Sequence, residues 1–213
     1  VYDIIPQGSD VVVLGDGEFD GTTLQQTLDD FGWSYICRTA KNAQLCADGQ
    51  WFSFSDVAVQ PGNCLGFYDV MFTQDEYGPV LAIAWFKPEY KEPIYLVTNL
   101  PVIEEACYWY GKRFYIETMF SDQKSRGFNL HKSCIEDPDR LTRLMMAVCL
   151  AYIWIIYLGA IAKKNGWVGI IHRTDRCDLS LFQLGLVLLD YLLDEHLPID
   201  VAFHIPFSKC VRC

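Results

Sequence analysis

In the segment YGKRFYIETMFSDQK, residues 110–124, a phenol, two bases and an acid recur at spacings that suit one helix. At about 100° per residue, Tyr110, Arg113, Glu117 and Lys124 project at roughly 0°, −60°, −20° and −40° from an α-helix, a single narrow stripe. Phe114, Ile116 and Phe120 fall off the stripe and can supply the apolar contact that keeps such a helix folded. A second carboxylate, Asp16, stands just past the β-branched run Val11 to Leu14. Two unpaired acids that meet in space push one pKa upward, so such a pair is tolerated mainly with a divalent cation between them. Carboxylate oxygens suit Mg²⁺ or Mn²⁺. Arg113 can then grip a phosphate with its planar fork, Lys124 can add a point charge, and the Tyr110 hydroxyl can donate to a phosphate oxygen. Acids for a metal beside bases for a phosphate indicate metal-assisted phosphodiester chemistry. The plainer reading makes Glu117 the i, i+4 ion-pair partner of Arg113 and gives Asp16 only a turn to support. These residues alone leave both readings standing.

The elements that must position these groups follow from pattern. Val11 to Leu14 reads as a strand buried on both faces. GTTLQQTLDDFGW after it reads as a helix, with Leu24, Leu28 and Phe31 at helical spacing, a Thr followed three residues later by Gln as a capping box, and Gly32 as stop. SYICRT reads as the next strand. Strand, helix and strand with an acid at the first strand's carboxyl end form an α/β half-unit, and ligands of such sheets collect at those ends. Glu18 and Asp20 are rivals to Asp16, Asp20 being the better reserve. Residues 50–98 read as an antiparallel β insertion: WFSFSDVAV, CLGFYDVMF, VLAIAWF and IYLVT, divided by QDEYGP and KPEYKE. A helix then opens at NLPVIEEACYWYGKRF, carries the stripe and should end near Gly127. Asp137 as N-cap and Pro138 at the first position start the next helix, which leads into LMMAVCLAYIWIIYLGAIA, residues 144–162. A final helix is expected over about residues 179–193. The expected division is 1–49, 50–98 and 99–213.

The run 144–162 is uncharged and near the length that spans a bilayer. Its bulky aromatics Tyr152, Trp154 and Tyr157 also fit a core helix packed on all sides, which is the favoured reading, with no membrane partner. At 213 residues and 51% hydrophobic, the chain can bury a core. A net charge of −10 excludes a protein that coats nucleic acid or anionic membrane indiscriminately. Any such contact must be local, and between Lys112 and Lys132 the balance does reverse: Lys112, Arg113, Lys124, Arg126 and Lys132 outnumber Glu117 and Asp122. Nine cysteines at irregular spacing, with no signal peptide ahead of them, favour free thiols in a reducing cytoplasm. The terminal pair Cys210 and Cys213 is a weak zinc motif.

Tyr, two residues, Arg, three residues, Glu, six residues, Lys is the signature of DDE transposases of the insertion-sequence-four family, which this chain therefore resembles at Tyr110, Arg113, Glu117 and Lys124. VLGDGEFDG resembles that family's second-aspartate segment. The likeness is close over about 11–38 and 98–164, loose through the β insertion and poor beyond Trp167. It implies an α/β fold: a partial ribonuclease H-like core interrupted by an antiparallel β insertion and followed by long helices. In such cores two Asp and one Glu hold two Mg²⁺ (or Mn²⁺) ions. Asp16 would match the second Asp and Glu117 the Glu. Tyr110, Arg113 and Lys124 would match residues that hold DNA phosphates near the cleaved end, and Arg126 would extend that basic face. The implied partners are transposon-end DNA, target DNA and a second protomer in a homodimeric synaptic complex. The first Asp belongs on an earlier strand, and only Asp3 and Asp10 precede Asp16 here. The expectation is thus a carboxyl-terminal portion with two of three ligands, inactive alone. A DNA-binding remnant without cleavage and a membrane protein anchored by 144–162 are the alternatives.

Overall fold

Valines 12 and 13 with Leu14 form β1 (Val12–Gly15), which runs parallel to β2 (Ser34–Thr39) and connects to it through α1 (Thr22–Asp30). This is the strand, helix and strand unit expected from the sequence, seen in a computed structural model that describes residues 2–173 and 178–203. Cys177, Cys210 and Cys213 lie outside the described residues, and so does the expected terminal zinc motif. Helix α1 stops as predicted: Gly32 takes φ +68°, its N–H donates to the Asp29 carbonyl, and Trp33 N–H donates to the Leu28 carbonyl. That pair of bonds is the Schellman motif, which a left-handed glycine permits. The helix start differs from expectation. Gly21 is the N-cap and no side chain caps it, because the Thr22 hydroxyl instead donates to the Asp75 carboxylate at 2.9 Å.

The remaining strands are β3 (Gln44–Ala47), β4 (Gln50–Ser53), β5 (Cys64–Phe72), β6 (Tyr77–Trp85) and β7 (Ile94–Thr98). They are antiparallel, as the β-rich pattern predicted, and they continue the same sheet: the order is β1-β2-β7-β6-β5-β3-β4, with β7 hydrogen-bonded to β2. The period-2 alternation of strands divides the core by face. From β6, Leu81 and Ile83 join Ile36, Leu96, Ala106 and Tyr110 on one side, beneath α2 (Ile103–Lys112). Val80, Ala82 and Ala84 join Leu45, Phe54, Val70 and Phe72 on the other. From β2, Tyr35 and Cys37 pack with Leu28 of α1. Asn99 ties α1 to the sheet, its amide donating to Asp29 at 2.6 Å and to the Trp33 carbonyl at 3.0 Å.

The chain divides into two compact units, Val1–Tyr115 and Ile116–Cys213. The boundary falls within α3 (Phe114–Ser121). The second unit continues with a π turn (Asp122–Arg126), α4 (Pro138–Lys164), the short α5 (Val168–Ile171) and α6 (Leu181–Asp194). Asp137 caps α4 as expected, accepting from Arg140 N–H, with Pro138 in the first turn. A capping box of Ser180 and Gln183 starts α6. Helices α4 and α6 cross at two glycines: a Cβ on Gly159 would lie 1.9 Å from the Leu181 carbonyl oxygen, and one on Gly185 1.9 Å from that of Ile155. Backbone meets backbone there, and only glycine fits.

The reading of residues 144–162 as a helix packed on all sides needs correction. Burial concentrates in the second half of α4, at Ile155, Tyr157, Leu158 and Ala162, with Val148 the one buried residue of the first half. Met146, Leu150 and Ile153 stay 58%, 55% and 45% exposed, and 22% of the most apolar stretch is buried. By length and composition alone, α4 could also cross a membrane.

Candidate active site

Alternation along the parallel pair brings the site residues of the first unit together. Val12 and Leu14 pack beneath α2, so Asp16, two residues on, continues the same face at the carboxyl end of β1. Ile36 belongs to that cluster as well, so Arg38 emerges on the same face at the carboxyl end of β2. Helix α2 lies over both strands and buries Ala106 and Tyr110 against them. Arg113 follows at the C-cap, with helical backbone angles (φ −52°, ψ −37°) and its N–H donating to the Tyr110 carbonyl at 3.0 Å.

The guanidinium of Arg113 reaches Asp16, Nη1 to Oδ2 at 3.9 Å, and lies beside Tyr110, its Cζ 5.9 Å from the Tyr110 ring centroid. Burial pushes the Tyr110 phenol up from its ordinary range, and the positive charges of Arg113 and Arg38 oppose that rise. Tyr110 thus stays a protonated hydroxyl in a cationic field. Asp16 also accepts from Glu18 N–H at 3.2 Å, so it does support a turn, as the plainer reading had it, while facing Arg113 as well. Asp20, the reserve candidate, accepts from the Thr39 hydroxyl at 2.9 Å and helps to hold the end of β2. Beside Asp16, an open cavity of about 490 Å³ is lined by Gly17, Arg38, Thr39, Lys41, Glu92 and Tyr95.

Glu117, Lys124 and Arg126 belong to the second unit, and all three are exposed. Glu117 lies in the first turn of α3, where a carboxylate suits the helix dipole. Lys124 and Arg126 lie in the π turn, and the Lys124 carbonyl is 2.7 Å from the His131 ring nitrogen Nδ1. The single helix expected to run to Gly127 is therefore three segments. A turn bonded i→i+5 winds less per residue than an α-helix. The 100° phase used to align Lys124 with Glu117 does not carry through it. The same turn buries Asp122, whose carboxylate accepts from the Tyr152 hydroxyl at 3.3 Å and whose pKa burial raises.

Sequence reasoning missed Arg38 and Lys41. Arg38 had a readable signal, since Ile36 and Arg38 alternate in SYICRT, but it needed the pairing of β1 with β2 to show which face that alternation serves.

A carboxylate and two arginines thus gather around a tyrosine at the end of a parallel strand pair, and a family model described as a transposase DDE domain matches residues 3–154 of this chain. The chain belongs to the DDE transposase family. No curated protein matched it. As a DDE transposase it is a member of a family of nuclease and transposition enzymes that act on DNA, and DDE transposase domains generally use divalent metal ions. Asp16 offers such an ion hard oxygen ligands of the right chemistry. Among the described residues no three His, Cys, Asp or Glu side chains gather as a ready metal cluster, and the neighbour of Asp16 is a guanidinium.

Proposed function

We propose that this chain serves metal-dependent cleavage and strand transfer of DNA in the manner of insertion-sequence-four transposases, supplying Asp16 and Glu117 as two of three metal ligands and not cutting DNA alone. One observation carries the reading: Arg113 of the four-residue signature faces Asp16, the acid that the resemblance matches to the family's second Asp, 3.9 Å away at a strand's carboxyl end. In this reading Asp16 and Glu117 are ligands for Mg²⁺ or Mn²⁺, and the ions, when bound, supply charge for the reacting phosphodiester. Arg113 holds a phosphate oxygen with its fork, the Tyr110 hydroxyl donates to the same group, and Lys124 and Arg126 add charge along the backbone. Arg38 and Lys41 extend the grip into the cavity beside Asp16. The overall change is hydrolysis of one phosphodiester to leave a 3′-hydroxyl, followed by attack of that hydroxyl on another phosphodiester. Transposon-end DNA and target DNA are the substrates, and a homodimer is the proposed synaptic unit.

In a reconstituted transposase activity that includes this chain and its element ends, Glu117→Gln should retain end binding and lose strand cleavage by at least about a hundredfold, the order expected when a group that stabilises transition-state charge is removed. Cleavage at the wild-type rate by Glu117→Gln would reduce Glu117 to a surface ion-pair partner.

A further inference from the structure

Two cysteines far apart in the chain meet where α2 crosses the sheet. The Sγ atoms of Cys64, first residue of β5, and Cys107, in the middle of α2, lie 3.8 Å apart, 43 residues apart in sequence. Their approach is fixed by the packing next to them. Gly66 shares the face of Cys64 on β5, and Ile103 lies one turn before Cys107 on α2. A Cβ on Gly66 would stand 2.3 Å from Ile103 Cδ1, so helix and strand are in close contact there. One helical turn on, the same contact line brings the two sulfurs together. Both are free thiols, Cys64 exposed and Cys107 half-buried. A disulfide needs its sulfurs at about 2.05 Å, so closure has to bring the two Sγ atoms a little under 2 Å nearer than their present 3.8 Å.

We propose that Cys64 and Cys107 are a redox-sensitive pair that closes into a disulfide with a small-molecule disulfide such as oxidised glutathione. The exposed Cys64 thiolate attacks one sulfur of the oxidant, forms a mixed disulfide and releases one small thiol. The Cys107 thiolate then attacks Cys64 Sγ, forms the Cys64–Cys107 bond and expels the second small thiol. The two protons lost by the cysteines end on the two released thiols, and the two electrons reduce the oxidant's sulfur–sulfur bond. Burial pushes both thiols upward in pKa, which keeps the resting pair protonated and the first step slow. The bond would clasp β5 to the helix whose next turn carries Tyr110 and whose C-cap is Arg113. It does not depend on what the chain does to DNA.

The test incubates the full chain with oxidised glutathione, alkylates the remaining thiols, and maps the digest by mass spectrometry. The expected product is a Cys64 peptide joined to a Cys107 peptide, two hydrogens lighter than the separate thiols, released by dithiothreitol and accompanied by a melting temperature several degrees higher. In Cys64→Ser, Cys107 should remain fully alkylatable under the same treatment. Alkylation of both cysteines in the wild type, or glutathione left unresolved on Cys64, would overturn the proposal.

Discussion

Arg113 stands between an acid and a phenol, and the magnitudes decide what that is for. An ion pair at 3.9 Å between groups 24% and 46% exposed contributes at most about 1 kcal/mol to stability. Replacing Arg113 by Ala should therefore cost under about 1 kcal/mol in urea unfolding, while the same change removes a proposed phosphate contact. In DNA titrations across a salt series, Arg113→Ala should bind more weakly and lower the slope of log affinity against log salt by about one. An unchanged slope would show that the guanidinium makes no phosphate contact. Arg38→Ala should lower the slope in the same way. Asp16 and Arg113 were legible in the sequence because a strand end and a four-residue spacing each point to them. Arg38 was not, since one arginine in a six-residue strand has no motif, and only the parallel pairing of β1 with β2 brings it to the face of Asp16.

Elements in the second unit depend on two backbone crossings and one buried acid. Because a Cβ at Gly159 or Gly185 would enter a carbonyl oxygen's volume, each glycine changed to Ala should force α4 and α6 apart and destabilise by roughly 1–3 kcal/mol or more. A lowered melting temperature in both variants checks this. Asp122 carries a pH signature. Its folded pKa is raised above the ordinary 3.8 by burial, so the folded state holds its proton longer than the unfolded state does. Stability should fall as pH rises from the ordinary carboxylate value through the raised folded one. Asp122→Asn should lack that fall, which denaturant midpoints measured across acid pH would reveal. Much at this scale could be read in advance: the β1–α1–β2 unit, the Gly32 stop and the Asp137 cap of α4 all rest on local turn and capping chemistry. The π turn could not, because a uniform 100° step was assumed where Asp122 is drawn inward toward Tyr152. The Thr–Gln capping box failed for a tertiary reason, since Thr22 finds Asp75 on a hairpin 53 residues away.

At the scale of the molecule, a net charge of −10 sits uneasily with a DNA substrate, and the resolution is local. Arg38, Lys41 and Arg113 concentrate positive charge beside Asp16 at one end of the sheet. Binding through so few contacts should show a shallow salt dependence, about one unit of log–log slope per phosphate contact. The continuous seven-stranded sheet was not legible in the sequence as one object, because β5, β6 and β7 carry the period of any antiparallel strand and nothing local specifies that β7 pairs with β2. The central claim is that Asp16 and Glu117 are ligands of a divalent ion. Mn²⁺ titration followed by electron paramagnetic resonance, on the wild-type chain and on Asp16→Asn and Glu117→Gln, tests it whether or not the chain cuts DNA. Each substitution should weaken Mn²⁺ binding by about tenfold or more, on the order of what losing groups at a metal site costs. Equal binding by all three proteins would contradict it.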